Sequence, residues 1–325
     1  VTAPKVSVAM IAYNHERFVV QAVESVLAQR TDFPFEIVFG EDCSPDGTRA
    51  LVQGLAAAHP GRIRLLLPEK NIGMNRNLAA TIAACRGEYI ALLEGDDFWT
   101  DPEKLQRQVG MLEAHPECTV CFTRALVVDE SNQPIETAQI IREVKPTYIL
   151  ADYLSRVFQP RTCTVMFRRG LFADFPEWYF SLPVGDFPLH VFNAEHGDFA
   201  FLDRVTAAYR IHAGGIWSMG ISPTEWQSGS REQQLRAAAR LSAMLAVYET
   251  LDAYLGSRYR GIMRAQIAQL AYQFTIVSRT LEDWPRMRRS VWQQLRALPL
   301  PPGVSFATLV RAALVSHCPF LARRT

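Results

Sequence analysis

Four times in its first hundred residues the chain runs from a short apolar segment into a polar loop or turn and then into a stretch of helical periodicity. Lys5 to Ala12 leads through Tyr13-Asn14-His15-Glu16 into Phe18 to Gln29, and Phe35 to Gly40 leads through Glu41 to Gly47 into Thr48 to His59. Ile63 to Leu67 leads through Asn71-Ile72-Gly73 into Asn75 to Cys85, and Tyr89 to Leu93 leads through a cluster of acids into Pro102 to His115. Apolar runs without alternation read as strands covered on both faces, which is how parallel sheets are built. The order strand, helix, strand therefore predicts a layered α/β domain with a mostly parallel sheet flanked by helices.

The fourth unit carries the strongest chemical signal. Tyr89-Ile-Ala-Leu-Leu93 stops on Glu94, Asp96 and Asp97, so three carboxylates stand at the carboxyl end of a buried strand. Ligands of open α/β sheets bind outside those ends. Acids crowded there repel one another unless something positive compensates, and a hard divalent cation is the natural candidate. The bland alternative is a solvated acidic turn before the next helix, since Thr100-Asp101-Pro102-Glu103 has the features of a helix start.

Further along, Thr119 to Val128 reads as a strand closed by the turn Asp129 to Pro134, and Arg161 to Phe167 as another strand. Val184 to about Glu195 opens a helix with Asp186 near its N-terminus. Phe199 to Leu202 and Val205 to Tyr209 read as two more strand segments, followed by a glycine-containing loop with His212 and Trp217. From about residue 223 the character changes to alanine-, leucine- and arginine-rich helices, so the expected division is residues 1–222 and 223–325. Within the second part Phe306, Leu309, Val310, Ala313 and Leu314 follow helical spacing, a stripe that reads first as a helix packed on its own domain.

A net charge of +1 over 325 residues conceals an imbalance between these parts. Residues 231–325 hold fourteen arginines against five acids, leaving the front part with a deficit of eight. An acidic front argues against nucleic acid as a partner, while the basic back suits phosphates or an anionic membrane surface. No run approaches the length of a membrane span and no secretory signal is evident, so the expectation is a cytoplasmic protein, with peripheral contact at the inner membrane face and self-association as further uses of the helices. Six scattered cysteines, Cys43, Cys85, Cys118, Cys121, Cys163 and Cys318, read as reduced thiols. The single C-x-x-C, Cys118 to Cys121, lies in a strand with no second ligand pair, against zinc.

Taken together, Val6 to Asn14, Glu41 to Thr48, Asn71-Ile-Gly73 with Arg76-Asn77, and Gly87 to Asp97 resemble the family 2 glycosyltransferases of GT-A fold, in order and spacing over roughly residues 5 to 130. Gly185-Asp186 and Tyr209-Arg-Ile-His212 extend the resemblance to about residue 220; it leaves residues 221 to 325 unexplained. It implies a Rossmann-like sheet and an inverting, metal-dependent transfer of a sugar from a nucleotide diphosphate donor, UDP or dTDP favoured, to the hydroxyl of a sugar, lipid-linked or other acceptor. Bacterial polysaccharide or glycoconjugate synthesis is the implied setting.

By the same resemblance Glu94-Gly95-Asp96 stands where the family has Asp-x-Asp, with Asp96 the direct ligand of Mg²⁺ or Mn²⁺, Asp97 assisting and His212 approaching from its loop. Glu94 departs from the usual aspartate and would reach a ribose hydroxyl or metal-bound water. Asp42 would bind the pyrimidine base, with Ala12, Tyr13 and Glu16 lining the same pocket and Arg76 near the nucleotide or diphosphate. Asp186 would be the general base, because a carboxylate can take the acceptor's proton as the hydroxyl attacks. Trp217 would close over the donor or stack on an acceptor sugar. Two other classes compete. A sugar-nucleotide pyrophosphorylase should carry a glycine-rich basic loop after the first strand, where Tyr13-Asn14-His15-Glu16 stands instead. A non-catalytic nucleotide-sugar-binding or partner-binding relative has no need of Asp96 and Asp186.

Overall fold

The computed structural model describes residues 3–136, 141–215, 230–281 and, with gaps, 283–293; Trp217 and the 306–314 stripe lie outside them. By contacts the chain divides into two units, residues 1–181 with 185–218 and residues 182–184 with 219–325.

The first unit is a mixed α/β domain around one sheet. β1 (Val6–Ala12), β2 (Phe35–Glu41), β3 (Ile63–Leu66) and β4 (Tyr89–Glu94) run parallel, joined by α1 (Val19–Leu27), α2 (Thr48–Ala58) and α3 (Met74–Ala84). Apart from Ile11 and Glu94, every residue of β1 and β4 is buried, as expected of strands covered on both faces. α1 closes one face through Val19, Ala22, Val23 and Val26, a spacing that puts all four on one side of the helix. Each such side chain taken from water contributes about 1.5–3 kcal/mol.

The strand order fixes the site. The chain steps outward from β1 to β2 to β3, then returns to place β4 on the other side of β1. Loops leaving β1 and β4 therefore diverge and leave a crevice at their carboxyl ends. Ile11 pairs with Glu94 in register, so Tyr13–Glu16 and Gly95–Asp97 face one another across it.

The sheet continues through the antiparallel strand β8 (Met166–Arg168) to β6 (Cys118–Val128) and β9 (Asp198–Arg210). Short β5 (Phe98–Trp99) and β7 (Thr147–Tyr148) pair antiparallel with β9. α4 (Lys104–Ala114), α5 (Leu150–Leu154) and α6 (Asp186–Ala194) complete the unit. Two expectations need correction. Phe199–Leu202 and Val205–Tyr209 are one strand, and the apparent gap is a bulge: Thr123 and Arg124 of β6 are consecutive, whereas their partners Leu202 and Val205 leave exposed Asp203 and Arg204 between them. Arg161–Phe167 is a strand only at its end. Thr162–Thr164 instead forms a 3₁₀ turn, in which the Thr164 hydroxyl donates to Arg161 O at 2.7 Å, local bonding that competes with a ladder. Cys85, Cys118, Cys121 and Cys163 are buried free thiols, and Cys43 is free and half-buried.

The second unit contains a helix pair, α7 (Arg231–Leu255) and α8 (Arg260–Thr280). Ser230 and Gln233 form a reciprocal capping box at the start of α7, and Gly256, at φ 64°, ends it. Leu241, Leu245, Tyr248 and Leu251 of α7 and Met263, Ala271, Phe274 and Val277 of α8 are buried. Arg231, Arg236, Arg258, Arg260, Arg264 and Arg279 stay exposed. Among the described residues no helix is long and apolar enough to cross a membrane.

Lys104 is an ion the first unit buries completely. Its ammonium lies 4.8 Å from the Trp99 ring centre and donates to Gln108 and, at 3.4 Å, to Thr164 O. Burial pulls its pKa down to about 8. The folded state thus holds the proton less tightly than the unfolded chain, a handicap that is full below pH 8 and gone above the unfolded value of 10.5. In urea unfolding, the stability of the parent relative to Lys104→Met should rise by about 2 kcal/mol between about pH 7.5 and about pH 10. A pH-independent difference would show that Lys104 holds its proton equally tightly in the folded and unfolded states.

Candidate functional site

The three acids of the strand tip separate as soon as the chain turns. Gly95 N donates to Ile11 O at 2.9 Å and pins the turn to β1, after which each carboxylate goes a different way. Gly95 must be a glycine for this: a Cβ there would stand 2.8 Å from the Ala12 Cβ and 3.0 Å from His15 Nδ1.

Asp96 points into the crevice. Its Oδ2 lies 3.0 Å from His212 Nε2 and 3.7 Å from His15 Nε2, and one ligand atom from each of the three residues falls within 4.8 Å of the others. Burial alone would raise the Asp96 pKa, but the His15 charge and the His212 hydrogen bond together hold it below the usual value. Burial pushes His15 toward the neutral imidazole, the form that can ligate a metal. His212 packs edge-on against Phe18, ring centres 5.0 Å apart, and its loop is tethered where Ala213 N donates to Glu130, itself paired with Arg17.

Asp97 turns away. Its Oδ1 accepts the Arg210 backbone N–H at 2.8 Å, so it secures the end of β9, and the structure does not bring it to the Asp96 and His212 pair. Arg210 is itself buried. Its guanidinium donates to Asp96 O at 2.7 Å, Asn132 Oδ1 at 2.8 Å, Gln21 Oε1 at 2.8 Å and Asp129 O at 3.3 Å, between the rings of Phe18 and Phe98.

Glu94 faces a third direction. Its Oε2 is buried without a hydrogen-bond partner, and burial together with Asp97, Asp96 and Asp186 drives its pKa well above the carboxylate range. Asp186 begins α6. Its Oδ1 accepts its neighbour's N–H from Phe187 at 2.7 Å, and its Oδ2 takes a long 3.3 Å bond from the Thr162 hydroxyl. Gly185 lets the helix start close in, because a Cβ there would meet Asn75 Oδ1 at 2.6 Å and the Tyr179 hydroxyl at 2.9 Å.

The expected nucleotide-side residues gather at the ends of β1 and β2, with one exception. Asp42 N donates to Ala12 O at 3.0 Å, and both Asp42 oxygens accept backbone N–H groups, Ile72 at 2.8 Å and Gly73 at 3.0 Å. Asp42 therefore holds the Asn71–Gly73 turn against the sheet. Glu16 accepts from Gly47 N at 2.9 Å, and Tyr13 is exposed at the mouth of the loop. Arg76 is the exception. It pairs with Glu177 at 2.9 Å and lies 4.4 Å from the Phe180 ring centre, on a separate cavity of about 550 Å³.

Residues 7–174 match the family model described as glycosyl transferase family 2. The chain belongs to that family. An uncharacterized protein of Mycobacterium tuberculosis is 36% identical over 241 residues, which are 74% of this chain and 67% of the relative. Among solved structures, the mannosyltransferase PcManGT of Pyrobaculum calidifontis, in complex with GDP-Man and Mn²⁺, is similar with a TM-score of 0.58 at 17% identity, over 99% of this chain and 83% of that one. TarS 1-349 of S. aureus in complex with UDP-GlcNAc is similar with a TM-score of 0.55 at 17% identity, over 96% and 91%. These neighbours share the GT-A fold.

Within this family 2 chain, sequence reading missed His15, Arg210 and Thr162. His15 could be found only by knowing that β4 returns beside β1, which puts the first loop opposite Asp96. Two imidazole nitrogens and a carboxylate oxygen are a donor set suited to a divalent transition cation, and their spacing fits one ion. The frame around that set hangs on Arg210. Its replacement by alanine removes the bonds to Asp96, Asn132 and Gln21 and leaves a void between Phe18 and Phe98, and should lower unfolding free energy by about 3 kcal/mol in urea melts. Arg210→Lys should recover less than half of the loss, since an ammonium cannot reproduce the planar fork. Full rescue by lysine would mean that charge alone matters.

Proposed function

We propose that this chain transfers a glycosyl residue, with inversion, from a nucleotide diphosphate sugar to an acceptor hydroxyl. The observation that carries this reading is the shared crevice at the carboxyl ends of β1 and β4, where Asp96 and His212 meet and where Asp186 lies near enough to Glu94 to perturb it. Asp96 and His212 would hold Mg²⁺ or Mn²⁺, and a divalent cation bound there offsets the charge on a departing nucleoside diphosphate.

Asp186 is the general base in this proposal. An inverting displacement needs one proton acceptor on the acceptor's side, and Asp186 Oδ2 takes a long, weak 3.3 Å bond from the Thr162 hydroxyl. Thr162 orients the carboxylate without saturating it. Glu94, pushed toward its neutral form, can donate a hydrogen bond to a sugar or ribose hydroxyl where an ionised acid would only accept one. Ala12, Tyr13, Glu16 and Asp42 form the wall against which the nucleotide would lie, directly or through the turn that Asp42 holds. UDP and dTDP remain the favoured donors, and the GDP-Man and UDP-GlcNAc held by PcManGT and TarS define the range to be tried. The exposed arginines of the second unit suit an anionic or lipid-linked acceptor of bacterial polysaccharide or glycoconjugate synthesis, at the inner face of a membrane.

Thermal shift with UDP-, dTDP- and GDP-sugars, each with Mn²⁺ and with EDTA, tests donor and metal together. One nucleotide class should stabilise the protein and lose its effect with EDTA, because a ligand that binds only the folded state raises its apparent stability. No response to any donor would overturn the reading. Once a donor is known, Asp186→Asn should lower turnover by about two to four orders of magnitude while donor affinity stays within about threefold. Unchanged turnover removes Asp186 from the role, and product with the donor's anomeric configuration rules out inversion.

A further inference from the structure

We propose that His15 is a third metal ligand, and that the resulting set of two imidazoles and one carboxylate selects Mn²⁺ and Co²⁺ over Mg²⁺. This rests on the reading that Asp96 and His212 hold a cation and adds to it a ligand from the first βα loop and a cation preference. Three elements far apart in sequence supply the set: the loop after β1, the turn after β4 and the loop after β9.

The geometry suits one ion. Two ligands about 2.1 Å from the same metal, at octahedral or tetrahedral angles, stand about 3.0 to 3.4 Å apart. The observed separations from Asp96 Oδ2 are 3.0 Å to His212 Nε2 and 3.7 Å to His15 Nε2, and all three ligand atoms lie within 4.8 Å of one another, so the set closes on one ion by a small inward movement of the imidazoles. The imidazole planes are 84° apart with ring centres at 6.1 Å, which lets the rings approach one point from different directions without colliding.

His15 is also held in place by its surroundings. Its backbone N–H donates to the Thr48 hydroxyl at 2.9 Å, Asn14 N donates to Ser44 Oγ at 3.0 Å, and Glu16 N donates to Asp46 at 3.1 Å. Three successive backbone groups are thus tied to the loop that precedes α2 and to its first residue. Opposite the ring stands Gly95, where any side chain would begin 3.0 Å from His15 Nδ1. A ligand fixed in this way needs little reordering to bind.

Donor chemistry sets the selectivity. Mg²⁺ prefers oxygen and gives up its waters reluctantly, whereas imidazole nitrogen favours transition ions, more so from Mn²⁺ to Co²⁺. An oxygen-only tip of Glu94, Asp96 and Asp97 would suit Mg²⁺. Here Asp97 is turned to Arg210, and nitrogen stands in its place.

The test uses the full chain with the metals alone, without donor or acceptor. Pulsed EPR of the Mn²⁺-loaded parent should show two coordinated imidazole nitrogens, and His15→Gln should show one. Calorimetric titration should give the parent at least about tenfold higher affinity for Mn²⁺ than for Mg²⁺. His15→Gln should weaken Mn²⁺ and Co²⁺ about tenfold or more and leave Mg²⁺ within about threefold. A single nitrogen in the parent, lost in His212→Gln but kept in His15→Gln, overturns the role of His15 and leaves the Asp96 and His212 site standing. Failure of the parent to bind any of the three ions removes the metal reading itself. The parent's nitrogen count needs no variant, so the proposal stays falsifiable even if His15→Gln melts before binding can be measured.

Discussion

A guanidinium taken out of water must be met on every side, and at Arg210 the partners that meet it are the parts from which the crevice is built. The side chain reaches the backbone of the β4 turn at Asp96, the 129–132 turn after β6 and Gln21 on α1, while its own N–H is held by Asp97. Each of these groups is polar, and the guanidinium that joins them is itself buried. The buried charge is satisfied only because all of them converge on it, and in doing so they are held to one another. The same bonds fix the end of β9, two residues before His212. The geometry of the His15, Asp96 and His212 cluster is therefore a consequence of how one buried cation is solvated by protein.

That arrangement explains why three adjacent acids have three roles. Asp97 is spent on the frame, Asp96 is left to face the imidazoles, and Glu94 is enclosed with an unpartnered oxygen. Like charges this close cannot all remain ionised without compensation. The structure compensates unevenly, with histidines beside Asp96 and burial around Glu94, so the pKa values separate in opposite directions. A tip that looks like a uniform patch of charge becomes one carboxylate held anionic, Asp96, and two carboxyls, Glu94 and Asp97, that burial holds toward the neutral form.

Glycines set the approach distances on which this depends. Gly95 brings the β4 turn against the β1 loop, and Gly185 brings the start of α6 against Asn75 and Tyr179. Neither needs a positive φ; both are needed because a Cβ would occupy space already filled. Both lie beside residues for which a role in the chemistry is proposed, Asp96 and Asp186.

The sequence alone determined the α/β class, the four parallel strands and the helices from α1 to α4 within a few residues, and the acidic tip, because apolar runs and helical spacing are local properties that burial imposes on the chain. It also singled out Asp96, His212 and Asp186 through the order of their motifs. It could not show Asp97 turning toward Arg210, or Asp42 taking two backbone donors, since each depends on a partner at least thirty residues away. His15 was invisible for the same reason. Its significance comes from the return of β4 beside β1 and from the convergence of β9 on both, and strand order is decided by packing across the whole sheet. Local pattern decides which elements form; only tertiary structure decides which loop ends share a crevice.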